Sequence, residues 1–209
     1  MTLTKTEDVK KFLVGINPDE PLFFDTETTG LYPWMGSKIC AVSMRHRGKS
    51  VFIPIRMGQE ASDLFSIVEN ADPYVIGLMR EHLLPGRKSI FHKKFDEGQC
   101  LVDNIVFEDR VDDPYIAASL ILAGKKNKDG SVQSLKLKSI SKEILGLDVS
   151  AVDRVEDWFS SRGITKDKNR RYDHVPIDLL SPYSLADVDL LESVHDLSMK
   201  EIEKLGLGG

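Results

Sequence analysis

Two carboxylates, Asp25 and Glu27, stand two residues apart in the stretch PLFFDTETTG at positions 21–30, directly after the apolar run Leu22-Phe23-Phe24. In an extended strand such residues share a face, about 7 Å apart along the chain. Two acids so placed beside an apolar core cannot both ionise without cations, so the pair requires either a raised pKa or a bound metal. Oxygen ligands of this kind suit Mg²⁺ or Mn²⁺. An isolated D-x-E at a strand end is more commonly just solvated, and further acids are needed to change that balance. Asp96, in FHKKFDEGQCL, falls where a short strand gives way to a helix. Alone it reads as an acid favourable to the helix dipole. In SPYSLADVDLL, Tyr183 and Asp187 are four apart and share one helical face, while Asp189 points elsewhere.

These residues need elements to hold them. PLFFDT, SKICAVSMRH and KSVFIPI read as three strands, the last two joined through a turn at Gly48, which makes an antiparallel meander. DPYVIGLMREHLL then has helical spacing and stops at Pro85-Gly86. KSIFH is a short strand, and KFDEGQCLVDN a helix that carries Asp96. DDPYIAASLILAG reads as a helix with Pro114 in its first turn and Gly124 at its end. SLKLKSISKEILG and AVDRVEDWFSS are helical as well. Ser181 suits a cap and Pro182 the first helical position, so the last long helix is expected to start there, with Leu185, Val188, Leu191 and Val194 as its core stripe. The segments 124–131 and 160–174 are polar and basic, with nothing apolar to pin them. The second is expected to be mobile without substrate and to guide a strand. A meander, then alternating helices and strands, then a helical end indicates an α/β layer architecture with a mixed sheet.

The bulk properties are those of one globular domain spanning 1–209. The chain has 209 residues, 41% hydrophobic and 29% charged, enough to bury a core without staples. No apolar run approaches a membrane span, and MTLTKTEDVKKFLVG lacks the build of a signal peptide, so a cytoplasmic location is expected, the host's for a viral protein. Cys40 and Cys100 lie in apolar surroundings without metal-ligand spacing and read as core residues. Net charge is −5, with 28 Lys and Arg against 33 Asp and Glu. The cations nevertheless cluster, as in RHRGK at 45–49, KLK at 136–138 and KDKNRR at 166–171, each best read singly as a solvated patch. A carboxylate-lined site can keep a chain acidic even when its substrate is a polyanion.

FFDTETTGL, HKKFD and YSLAD resemble, in order and approximate spacing, the three motifs of the DEDD superfamily of 3′–5′ exonucleases, in the subgroup with Tyr in the third motif. The resemblance is greatest to the proofreading exonuclease domain of family A DNA polymerases, phage-like ones in particular, and runs from Pro21 to near the end. It implies a ribonuclease H-like α/β fold with a mixed central sheet flanked by helices. It also implies two divalent cations, Mg²⁺ or Mn²⁺, and hydrolysis at the 3′ end of single-stranded DNA. Carried over by motif, Asp25, Glu27 and Asp187 hold the first cation, Asp25 also faces the second together with Asp96, and Tyr183 orients the attacking water. Thr28 and Leu31 match positions that contact the last nucleotide, and Tyr172 matches an aromatic that stacks near the 3′ end. His92 stands where the second motif usually has Asn, which leaves a substrate contact and a structural loop histidine equally open.

Three alternatives stay beside this reading. A non-catalytic docking domain of a larger polymerase would keep the fold, but degenerate members usually lose acids and this chain has all four. An RNA-trimming enzyme of the ribonuclease D kind would use the same acids and differ through 2′-OH contacts. An aspartyl phosphatase is suggested by FFDTETT, yet it has Glu27 where a second Asp is needed and no use for Tyr183 with Asp187. The polymerase resemblance also leaves open a polymerase domain as partner, in the same chain or separate.

Overall fold

A computed structural model describes residues 1–58, 70, 73–83, 85–108, 111–122, 126, 134–165 and 170–206. Its centre is a five-stranded mixed sheet. Strand β1 (Leu22–Thr28) pairs antiparallel with β2 (Ile39–His46), which pairs antiparallel with β3 (Lys49–Pro54). On the other side β1 runs parallel to the two-residue β4 (Lys88–Ser89), and β4 to β5 (Val111–Asp112), so the order is β3-β2-β1-β4-β5. The expected meander is present, turned by Arg47 (φ 50°) and Gly48 (φ 72°), two left-handed residues that match the twist of the strands they join.

Strand alternation divides the core. Phe24 faces a cluster with Val9, Leu13, Met79 and Cys100, contributed by α1 (Thr6–Val14), α2 (Tyr74–His82) and α3 (Lys93–Val102). Phe23 faces the opposite side, against Val188, Leu191 and Val194 of α7 (Ile177–Lys204) and Ala118 and Leu122 of α4 (Pro114–Leu122). With period 2, Asp25 and Glu27 follow Phe23 toward α7, and Thr26 follows Phe24 toward α3. A third cluster holds Phe159 of α6 (Ser150–Ser160), Cys40 and Tyr183, with Cys40 and Ala41 at the end of β2 that pairs with Glu27 and Thr28. Both cysteines are buried and free. Among the described residues no helix is long and apolar enough to cross a membrane.

Four expectations need correction. Helix α7 starts at Ile177, not at Ser181, and Pro182 lies inside it. Pro176 stands at the N-cap with φ −55°, Pro182 forfeits one bond to the preceding turn, and Ser181 bonds Thr2 at 2.9 Å instead of capping. The helix expected over SLKLKSISKEILG contracts to α5 (Leu137–Glu143). The strand expected over KSIFH is β4 alone. The segment 160–174 is pinned where it is described: Ile164 and Tyr172 pack against the Phe159 cluster, and Arg170 pairs with Glu156 at 2.8 Å. Residues 166–169, and nearly all of 124–131 with Gly124, lie outside the described residues. Helix α1 and strand β5 have no counterpart among the elements expected from patterning.

Candidate active site

The sheet delivers two acids, and two helices deliver the others. Asp25 and Glu27 project from the last half of β1, beyond the point where β4 ends, since β4 pairs only with Leu22 and Phe23. The register against β2 also shifts between Glu27 and Thr28. On the side that β4 has vacated, the Thr26 amide has no strand to donate to. Its N–H donates to Asp96 Oδ1 at 3.1 Å and its hydroxyl to the same oxygen at 2.5 Å. Asp96, in the first turn of α3, thus takes the place of a missing ladder partner and is held beside Asp25. From the other face α7 brings Asp187 and Tyr183. Asp25, Glu27 and Asp187 each offer a carboxylate oxygen, all within 4.8 Å of one another.

The acids are held in a medium that resists their charge. Burial raises Asp25 well above the usual carboxylate range, and Asp96, Glu27 and Asp187 add to it. Burial and then Asp187 push Glu27 up to about 8, against the opposing hydrogen bond from Ser184 Oγ at 2.6 Å. Burial raises Asp96 to about 7 despite the Thr26 bonds. Asp187 is raised by burial and restrained by Lys138. One oxygen of Asp187, Oδ1, is buried with no hydrogen-bond partner. Buried carboxylate oxygens are seldom left so, and a cation ligated by the three acids would satisfy it. Three acids with raised pKa values, an orphaned oxygen and an all-oxygen donor set fit a hard divalent cation, whereas Asp96 lies outside this group of three and outside the lining of the cavity above it.

Tyr183 is almost fully buried, and burial followed by Asp187 raises its phenol well above the ordinary value. At neutral pH it is therefore neutral, able to position a water but not to act as a base. Its hydroxyl accepts a hydrogen bond from Lys138 Nζ at 2.7 Å; the same ammonium is 3.0 Å from Asp187 Oδ2 and 3.9 Å from the Tyr183 ring centroid. Lys138, which in the sequence reads as part of a solvated KLK patch, is thus a member of the site. So is Ser184. The only signals in the sequence are that Ser184 lies inside YSLAD and that one lysine of KLK must face the neighbouring helix.

An open cavity of about 240 Å³ lies over the acids, lined by Asp25, Glu27, Thr28, Leu31, Phe95, Arg170, Tyr172, Tyr183 and Asp187 among others. Thr28, Leu31 and Tyr172 thus line the same cavity as the acids. The Thr28 hydroxyl donates to Gly30 O at 2.7 Å, which leaves its lone pairs to accept from a ligand. Leu31 is 49% exposed. Tyr172 packs 5.3 Å from Phe159 and 6.0 Å from Tyr183, centroid to centroid. His92 does not line this cavity. It is exposed in a left-handed conformation (φ 59°) just before α3, its ring 4.0 Å from that of Tyr115. Asn and His tolerate this conformation better than most residues. The two amides that open α3, His92 and Lys93, donate to Asp113 at 3.2 and 3.1 Å.

No protein-family model and no curated sequence matches the chain. Solved structures do. Brucella melitensis NrnC with bound Mg²⁺ is 21% identical, with a TM-score of 0.56 over 91% of this chain and 77% of that one. The Aedes aegypti Nibbler EXO domain is 11% identical, with a TM-score of 0.61 over 99% and 89%. Escherichia coli RNase D, an exoribonuclease involved in structured RNA processing, is 16% identical, with a TM-score of 0.58 over 99% of this chain and 46% of that one. The chain has a ribonuclease H-like fold. At these identities the likeness is one of fold, and the polymerase-like expectation rests on the motifs alone.

Proposed function

We propose that the protein is a two-metal-ion 3′–5′ exonuclease that removes nucleoside 5′-monophosphates one at a time from single-stranded nucleic acid, DNA in the first instance. One observation carries the proposal: Asp25, Glu27 and Asp187, from two distant elements, bring carboxylate oxygens within 4.8 Å of one another, and the buried Oδ1 of Asp187 has no hydrogen-bond partner. Tyr183 stands beside them and Asp96 is fixed next to Asp25. Support for the fold level of this reading comes from the nuclease neighbours, one of them NrnC bound to pGG at 18% identity and a TM-score of 0.59 over 90% of this chain and 76% of that one.

Asp25, Glu27 and Asp187 would hold one cation, and Asp25 with Asp96 the second. Bound there, two divalent cations lower the pKa of water and neutralise charge building on the phosphate. The residues of the chain do the rest. Thr28 accepts from the terminal 3′-OH, Leu31 closes on the last base and Tyr172 flanks it. The neutral Tyr183 phenol, fixed by Lys138, directs water at the phosphorus. As the new P–O bond forms the P–O3′ bond breaks, the nucleoside monophosphate is freed, and the 3′ oxygen leaves with the shortened strand as its hydroxyl, the proton lost by the water being balanced by the one it gains through solvent. An aliphatic side chain and a ring face accept any base, so little sequence preference is expected.

The test is release of a labelled 3′ nucleotide in Mg²⁺ or Mn²⁺. Asp25→Ala, Asp96→Ala and Asp187→Ala should each abolish it in folded protein, and activity equal to the unmodified protein in all three would sink the assignment. RNA trimming is the second reading, favoured by the fold-level likeness to RNase D, an exoribonuclease involved in structured RNA processing. Parallel assays on DNA and RNA strands of one sequence decide between them. A proofreading role would further require association with a polymerase.

A further inference from the structure

The loop that leaves β1 carries an unusual surface. Trp34 is 79% exposed, Met35 75% and Tyr32 46%, and the Tyr32 and Trp34 rings are tilted together at 5.2 Å. Large apolar side chains so exposed and adjacent are a mark of a contact surface. This loop is also held firmly. The Gly30 carbonyl accepts from Thr28 Oγ1, from Ser37 Oγ at 2.6 Å and from Gln99 Nε2 at 3.4 Å. Thr29 and Lys38 are tied by reciprocal bonds, Thr29 N to Lys38 O at 2.9 Å and Lys38 N to Thr29 Oγ1 at 3.0 Å. Pro33 rests on Gly98 of α3, and the short turn Pro33–Met35 closes through Gly36 (φ 88°). The rings are therefore presented by a fixed frame and are not exposed by looseness.

The position of the frame matters. A second cavity is lined by Tyr32, Met35, Lys38, Arg56, Arg171 and Asp173, among others. It shares two walls with the acid cavity. Along the β1 loop Thr28 and Leu31 line the acid cavity while Thr29, Gly30 and Tyr32 line the second; along the other wall Arg170 and Tyr172 line the first, Arg171 and Asp173 the second. Tyr32 follows Leu31 directly, one Cα step of about 3.8 Å, within the reach of a single nucleotide. Three cations against one acid line the second cavity, although Arg56 already pairs with Asp103 and Arg171 with Asp173.

Resting on the exonuclease reading, we propose that Tyr32, Trp34 and Met35 form a stacking platform for the bases that precede the terminal nucleotide of a single strand. Lys38 then lies beside its backbone. Aromatic faces accept any base, and the adjoining cations follow the phosphates. The occupant is a single-stranded nucleic acid and not a protein, because the surface is continuous with the acid cavity and carries net positive charge.

Trp34 is one of two tryptophans, so Trp158→Phe leaves it as the only one. In EDTA, an octamer of dT or of U should quench its emission, and a dinucleotide should not. In Mg²⁺ the preference of the enzyme for the octamer over the dinucleotide, measured as a ratio of kcat/KM, should fall roughly 5- to 150-fold in Trp34→Ala. A smaller fall is expected in Tyr32→Ala, and Trp34→Phe should retain most of the preference. The two oligonucleotides separate DNA from RNA as the strand received. An unchanged ratio in Trp34→Ala, or absence of quenching, overturns the platform and leaves the exonuclease standing. So does self-association of the protein that Trp34→Ala abolishes while the ratio stays unchanged. If the unmodified protein hydrolyses neither substrate, the exonuclease reading fails, and the quenching titration still decides the platform.

Discussion

Replacing Glu27 with Gln should make the metal-free protein more stable at pH 8, although it removes a group central to the site. The sign follows from linkage. Glu27 is held at about 8 in the folded protein, by burial first and Asp187 second, against an ordinary value of 4.5 when unfolded. Between those values the folded chain binds a proton that the unfolded chain does not. Its contribution is thus fully present below about pH 4.5 and is lost as pH rises through about 8. Each pH unit in that window is worth about 1.4 kcal/mol, so the rise from pH 5 to 8 removes at most about 4 kcal/mol. For a chain of this size that is about 8–16 °C in Tm. Glu20, lowered to about 2 by Arg47, finishes titrating below the window and does not mask the effect. The assay is thermal unfolding in EDTA at pH 5 and pH 8, then at pH 8 with Mg²⁺. The unmodified protein should lose stability between the two pH values and regain about 2.7 kcal/mol with Mg²⁺ at a hundredfold excess over Kd. Glu27→Gln should show a shallower fall, since Asp25, Asp96 and Asp187 still titrate, and a weakened Mg²⁺ response. An equal slope in the two proteins, or a metal-free protein no more stable at pH 5 than at pH 8, would refute the reasoning.

Ser184→Ala removes the hydrogen bond that favours the ionised Glu27, and isothermal titration should find Mg²⁺ affinity lowered about 10-fold or more, with folding intact. Tyr183→Phe keeps the ring against Tyr172 and deletes the hydroxyl that Lys138 holds; kcat for 3′ nucleotide release should fall about 100-fold with KM little changed. Gly86→Ala tests the fold apart from the site. Gly86 has φ +87° and its added Cβ would lie 2.8 Å from the Pro18 Cα, so chemical denaturation should show a loss of at least about 2 kcal/mol.

Legibility in the amino-acid sequence follows local patterning. The meander is legible because period 2 and a positive-φ turn at Gly48 are local, and α3 and α7 because their apolar spacing is sustained. Asp25, Glu27, Asp96, Tyr183 and Asp187 are legible as a set only through the order of three motifs. Residues whose role depends on how elements meet are not. Lys138 is one of 28 cations until α5 docks on α7 and puts its ammonium 2.7 Å from a buried phenol. Pro182 misleads because proline at a helix start and proline inside one look alike locally, and the true start at Ile177 lies in a turn with no strong signal of its own. The left-handed backbone angle of His92 is set by how its loop enters α3 and has no signal in the residue type beyond its resemblance to Asn.

The strand lengths carry the deepest link between fold and site. A longer β4 would bond the Thr26 amide and complete the sheet, and Asp96 would then have neither a partner nor a reason to lie beside Asp25. Ending β4 at Ser89 leaves a vacancy in the ladder at the level of the acids. Parallel sheets tend to place ligand sites at such carboxyl ends. Here the vacancy has a specific consequence: the fourth carboxylate is held by the backbone of the strand that bears the first two, so three acids share one rigid frame. Asp187, brought by α7, is fastened by Lys138 of α5 rather than by the backbone of β1. Its distance from the other acids is therefore the one most dependent on a side-chain contact, and the site is only as well ordered as the packing of α5 on α7 and of α7 on β1.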